Sequence, residues 1–104
     1  MQFTTIKDKA QFDRIFKNGV KFVTPFFVML ALKSEETNSF GFIATKKVFK
    51  RSVDRNYCRR KLKAAINRAN SNRNVSCVII ARSQLLKCEF ETLVTSLAIE
   101  IDKI

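Results

Sequence analysis

Thr45 to Lys63 reads TKKVFKRSVDRNYCRRKLK, and this segment sets both the charge and the architecture of the chain. From Lys46 onward it carries nine of the 20 basic residues: Lys46, Lys47, Lys50, Arg51, Arg55, Arg59, Arg60, Lys61 and Lys63. Against them stands one acid, Asp54, so a local charge of +8 accounts for most of the formal +11 of the whole chain. Charge gathered in this way calls for a polyanionic partner.

The second half of the segment has helical periodicity. Ser52 is placed as the N-cap, with Asp54 in the first turn at the positive end of the helix dipole. Cys58, Leu62, Ala65, Ile66 and Ala69 then recur as an apolar stripe that faces a core. Asn56, Arg59, Arg60 and Lys63 fall on another face, with Arg55 at its border. An ordinary solvent face alternates acids and bases at i, i+4. This helix, over roughly 52 to 69, instead sets Arg55, Arg59 and Lys63 in like-charge succession, an arrangement suited to phosphates that release counterions on contact.

The pairs Lys46-Lys47 and Lys50-Arg51, then Arg55-Asn56, then Arg59-Arg60-Lys61-Leu62-Lys63, resemble the signature segment of the protein subunit of bacterial ribonuclease P. That family has a Lys-Lys pair leaving a strand and an Arg-Asn-Arg core opening a basic helix. This chain departs from the pattern at three positions. Tyr57 stands where the core has its second arginine, Phe49 where a glycine is usual, and Ala64 where an acid often follows the basic run. Phe49 implies a locally altered loop.

The remaining composition bounds the reading further. With 104 residues, 46% of them hydrophobic and ten of them Phe, the chain is read as one domain over 1–104 with a single core. No apolar run is long enough to span a bilayer, no signal peptide is read, and the protein is expected in the cytoplasm. Three cysteines, Cys58, Cys77 and Cys88, have no C-x-x-C spacing, and the absence of histidine removes the usual zinc patterns. Cys58 and Cys77 are expected as small buried hydrophobes. Without histidine a histidine acid–base nuclease, a Cys-His hydrolase and a Ser-His-Asp triad are excluded. The nine acids are scattered and suggest no two-metal carboxylate cage.

Along the chain, Asp8 is an N-cap with Gln11 three residues on, opening a helix of about 8 to 18. Phe12, Ile15 and Phe16 share one stripe of it, and Gly19 is read as a left-handed stop. Residues 20 to 33 read as two strands separated by Pro25, followed by a polar turn at 35–38. Ser39 to Thr45 is a third strand leading into Lys46-Lys47, with Gly41 marking a bulge or a close approach by another backbone. After a polar loop at 70–74, Val75 to Ala81 is β-branched and nearly all apolar, hence a central strand. Phe90, Leu93, Val94, Leu97, Ala98 and Ile101 follow the helical i, i+3, i+4 rule without a miss.

The expected class is therefore α+β, a two-layer α-β-β-β-α-β-α sandwich on a mixed four-stranded sheet. A right-handed crossover is the general default. The family resemblance implies a left-handed βαβ crossover instead, as in a ribosomal-protein-S5-domain-2-like fold.

The resemblance also implies a function. As the protein subunit of ribonuclease P, the chain would bind the catalytic RNA subunit and the 5′ leader of precursor tRNA, supporting endonucleolytic removal of the leader. Chemistry would lie in the RNA, with Mg²⁺ held mainly there and none by the protein alone. The phosphate-binding set would be Lys46, Lys47, Lys50, Arg51, Arg55, Asn56, Arg59, Arg60 and Lys63. The leader cleft would use Phe12, Phe16, Val28 and Leu30, where aromatic faces suit unpaired bases of any sequence. No catalytic residue and no membrane contact are expected, and one protein would act as a monomer on one RNA. A ribosomal-protein-like binder of structured RNA, with no enzymatic role, stays open as the alternative. An anionic-membrane binder is disfavoured, because the apolar stripe of the basic helix is needed to cover the sheet.

Overall fold

A computed structural model describes residues 3–6, 8–33, 38–69 and 74–104. In chain order they form β1 (Thr4–Thr5), α1 (Lys9–Asn18), β2 (Val20–Val23), β3 (Phe27–Lys33), β4 (Ser39–Ile43), α2 (Ser52–Ala69), β5 (Val75–Ala81) and α3 (Phe90–Asp102), with a 3-10 turn at Ser83–Leu86. The class is α+β, as expected, but the sheet has five strands rather than four, in the order β1-β4-β5-β3-β2. The additional strand, β1, lies parallel to β4 through Thr4 and Thr5. Two residues carry no readable alternation, so nothing in the sequence marked it. The polar turn read at 35–38 and the loop read at 70–74 fall mostly outside the described residues.

β5 is central, antiparallel to β3 and parallel to β4. Its apolar composition follows from having covered positions on both faces. On one face Val75, Cys77, Ile79 and Ala81 join Phe27, Met29, Ala31 and Phe40 in a core closed by Cys58, Leu62, Ala65 and Ile66 of α2 and by Leu93, Leu97 and Ile101 of α3. On the other face Val78 packs with Ile6 and with Ile15 of α1. Thus α2 and α3 cover one face, and α1 lies across part of the other.

The ends of the helices show where local rules hold and where they give way. Asp8 caps α1, its carboxylate accepting from the Ala10 N–H at 3.0 Å. Gly19 ends α1 in an extended conformation (φ −73°, ψ 151°), not the left-handed one. Space is what demands glycine there: a Cβ would sit 2.5 Å from the Ile15 carbonyl oxygen. Ser52 lies inside α2, and the first backbone bonds run from the Asp54 and Arg55 N–H groups to the Arg51 carbonyl. The cap is therefore one residue earlier than Ser52.

Pro25 falls in the turn between β2 and β3. The Thr24 hydroxyl accepts from the Phe26 and Phe27 N–H groups and donates to the Phe27 carbonyl. Arg82, just past β5, donates from Nη1 to the Thr24 carbonyl at 3.0 Å and ties this turn to the central strand.

Candidate nucleic-acid interface

The cationic segment is a loop and a helix held together by two residues. Between β4 and α2 the chain turns at Thr45, whose carbonyl accepts from the Phe49 N–H at 2.8 Å. The Phe49 side chain is buried in the core shared with α2 and α3, which is the physical form of the altered loop. Arg55 then reaches back from the first turn of α2. Its Nη1 donates to the Phe49 carbonyl at 2.9 Å and to the Lys50 carbonyl at 3.1 Å. A hydrophobic plug and a guanidinium latch thus fix the loop that carries Lys46, Lys47, Lys50 and Arg51, all four exposed.

Along α2, Asn56, Arg60 and Lys63 are exposed, while Arg55 and Arg59 are half-buried at the border of the apolar stripe. Arg59 donates from Nη2 to Oδ1 of Asn56 at 2.8 Å. That bond orients both groups and leaves the rest of the guanidinium fork available. Neither of the ion pairs Arg68–Glu91 and Lys103–Glu100 takes a cation from the 46–63 segment. The loop and the outer face of α2 therefore form a positive surface whose exposed Lys and Arg groups are free to donate to anions.

Lys61 does not belong to that surface. It is only 8% exposed. Its Nζ donates to the Leu85 carbonyl at 3.0 Å and to the Cys88 carbonyl, and lies 5.6 Å from the centroid of the Tyr57 ring. Lys61 fastens the segment after β5 onto α2.

The face that carries α1 holds the second feature. Strand register aligns Val23, Val28, Ile80 and Ile43 in one row across four strands, and Lys21, Leu30, Val78 and Gly41 in the next. Phe12 packs into the second row, where the absence of a side chain at Gly41 makes room for it: a Cβ there would lie 2.6 Å from its ring. Gly41 thus marks a close approach by a ring. The strand pairing runs through it without a bulge.

Phe16 stacks on Phe12, with centroids 6.4 Å apart and ring planes at 23°, and is itself 45% exposed. Of the four residues assigned to a cleft, Phe12, Val28 and Leu30 are half-buried and Phe16 is open to solvent. The row beside them adds Ile43 and Ile80, half-buried, and Val23, 58% exposed. Sequence reasoning missed these three because membership of the row depends on strand register, which no single strand records.

The cysteines are buried as expected at Cys58 and Cys77, and half-buried at Cys88. Burial pushes the Cys77 thiol up to about 12. Burial also raises Cys58, with Asp54 and Cys88 adding and Lys61 and Arg59 opposing. Both are inert packing groups in neutral solution. Among the described residues no three of Asp, Glu and Cys come together as a metal site, and no helix is long and apolar enough to cross a membrane.

Comparison with known proteins adds a consistent set of likenesses. The sequence pattern of the family described as Ribonuclease P matches residues 2–104. A ribonuclease P protein component from Mycoplasmopsis synoviae is 37% identical over 100 residues, covering 95% of this chain and 84% of the relative. One from Nitratiruptor sp. is 34% identical over 88 residues, covering 84% and 79%. Among solved structures, the Thermotoga maritima RNase P protein superposes with a TM-score of 0.82 at 21% identity over 96% of each chain. The Staphylococcus aureus RNase P protein gives 0.80 at 24% identity over 99% of this chain and 98% of its own. At these identities the two structures speak for the fold, and the sequence relatives for the family.

Proposed function

The chain belongs to the ribonuclease P protein family, and from that premise we propose that it binds the ribonuclease P RNA through its loop–α2 surface and the 5′ leader of precursor tRNA through the cleft beside α1. The observation that supports this most is the separation of two chemistries onto different parts of one sheet. A cationic surface that contributes no cation to the ion pairs Arg68–Glu91 and Lys103–Glu100 lies on the α2 side. An apolar row with an exposed aromatic ring lies on the α1 side.

On this reading Lys46, Lys47, Lys50, Arg51, Arg59, Arg60 and Lys63 neutralise phosphates, which steepens the salt dependence of binding by roughly 0.7 to 0.9 per contact in log–log slope. Asn56 and Arg59 present a fixed hydrogen-bonding pair to the same backbone. Arg55 holds the loop and uses its remaining donors outward. In the cleft, the free face of Phe16 stacks an unpaired base, and Val28, Leu30, Ile43 and Ile80 give it an apolar floor. A single strand fits there independent of sequence, because every base has a π-face.

On this reading Mg²⁺ is bound mainly through the RNA, in keeping with carboxylates that gather at no metal site among the described residues. The protein's part is to screen the RNA and to hold the leader while cleavage proceeds. One protein on one RNA suffices for both tasks.

Reconstitution tests the proposal. The purified protein is added to a bacterial ribonuclease P RNA at a Mg²⁺ concentration too low for the RNA alone. Cleavage of precursor tRNA should be restored, and affinity should be greater for precursor than for mature tRNA. Tight RNA binding with no gain in cleavage would instead favour the structured-RNA binder.

A further inference from the structure

A second aromatic feature lies on the elements that cover the opposite face of the sheet. Tyr57, Arg60, Lys61 and Ala64 of α2, with Cys88 and Phe90 at the start of α3, enclose a groove of about 400 Å³. That volume lies within the roughly 300–1,000 Å³ of small-ligand sites. Tyr57 is 43% exposed, and its ring is supported by the buried Lys61 ammonium 5.6 Å from its centroid. The Arg68 guanidinium lies 5.7 Å from the centroid of Phe90. A neighbouring groove of about 530 Å³, lined by Phe26, Ser83, Gln84, Lys87 and Cys88, shares Cys88 as a wall. Each groove joins an aromatic ring to a cation, and neither is lined by an acid.

We propose that the Tyr57–Phe90 groove receives an unpaired base of the RNA bound by this protein, with Arg60 on the adjoining phosphate. The proposal rests on the ribonuclease P reading and deepens it. Two of the three departures from the family's motif border this one groove. Tyr57 sets a ring at its edge, and Ala64 adds neither bulk nor negative charge to its wall. A π-face beside an unpaired guanidinium suits a nucleotide, whose base stacks while its phosphate is neutralised. An apolar protein segment would bury Arg60 without a partner.

Tyr57 is the only tyrosine and the chain has no tryptophan, so its emission reports on the groove alone. The test titrates the intact protein with a bacterial ribonuclease P RNA while following that emission. In parallel, affinity and salt slope are measured for Tyr57→Leu, Tyr57→Phe and Arg60→Ala. Expected are quenching of the emission, an approximately tenfold affinity loss for Tyr57→Leu with unchanged salt slope, and wild-type binding for Tyr57→Phe. Arg60→Ala should flatten the slope by roughly 0.7 to 0.9.

Unquenched emission overturns the proposal, as does wild-type affinity in Tyr57→Leu. A loss shared by Tyr57→Phe overturns it too, since that would assign the effect to the hydroxyl. In each of these cases a weakened Arg60→Ala leaves the ribonuclease P reading standing. If the wild-type protein itself fails to bind the RNA, that reading falls as well.

Discussion

Phe12 and Gly41 are in direct apposition: the ring of α1 fills the space that any side chain on β4 would occupy. This one contact decides how the aromatic pair is divided between core and surface. With Phe12 seated over Gly41, its stacked neighbour Phe16 is left with an open face.

Gly41→Ala should therefore displace the Phe12 ring rather than the strand. The expected cost is about 1–2 kcal/mol, in the range for overpacking a core. Combining it with Phe12→Leu should cost less than the sum of the single changes, since both act on one contact. Urea denaturation of the three variants measures this.

The aromatic pair should separate in its effects. Phe16→Ala should alter stability by no more than about 0.5 kcal/mol, as for an exposed position. Phe12→Ala should cost about 2 kcal/mol, below the 3–5 kcal/mol of a fully buried Phe. Affinity for a precursor with a leader of several nucleotides should fall about tenfold in Phe16→Ala, with mature tRNA unaffected. Equal losses on both RNAs would place the leader elsewhere.

Arg55→Ala should act beyond its own charge. Removing the bonds to the Phe49 and Lys50 carbonyls should cost about 1 kcal/mol of stability and speed amide hydrogen exchange at 48–50. Because the loop lysines lose their placement, the salt slope of RNA binding should drop by more than the ~0.7–0.9 of a single phosphate contact. A drop of one contact with unchanged exchange would make Arg55 a simple phosphate ligand.

Lys61 and Arg60 are neighbours with opposite expected behaviour. Lys61→Met keeps the stem but takes the ammonium donor from the Cys88 carbonyl and leaves the Leu85 carbonyl with only the Cys88 thiol, at a cost of about 1–3 kcal/mol. Its RNA-binding salt slope should match wild type. Arg60→Met should keep its stability and lose slope. Denaturation curves and salt titrations of the same two proteins check both statements.

Alkaline solution should weaken the fold through Cys77. Its thiol ionises near 9.0 when unfolded and is held up to about 12 by burial. The protonated form is thus favoured in the folded state, and the stability it brings is complete below pH 9. It is lost as the pH climbs from there toward the folded value. Cys77→Ala should show a shallower decline of stability between pH 9 and 11 than wild type.

Much of this architecture was legible because burial repeats. The α3 stripe from Phe90 to Ile101, the stripe of α2 and the apolar β5 each place the same kind of residue on one side for several turns or steps. What escaped depends on distant partners. Lys61 stands in a run of bases with nothing local to set it apart, yet it is buried and bonds carbonyls 24 and 27 residues later. The row through Val23, Ile80 and Ile43 needs the register of four strands. Gly19 and Gly41 were legible as special positions, but steric approach, not left-handed backbone or a bulge, is what requires them. Phe49, read as a departure that implies an altered loop, is a core residue because the turn at Thr45 directs it inward.

The central position of β5 has a consequence for biosynthesis. It joins β3 to β4, yet both of those strands and the whole of α2 leave the ribosome before it does. Until Val75 to Ala81 is translated the sheet has no middle, and the apolar stripe of α2 has only part of its seat. Such non-local pairing must wait for the chain that closes it. The growing polypeptide thus carries a basic segment that is charged from the outset but lacks part of the seat against which it packs. Synthesis of β5 and α3 supplies the rest of that seat.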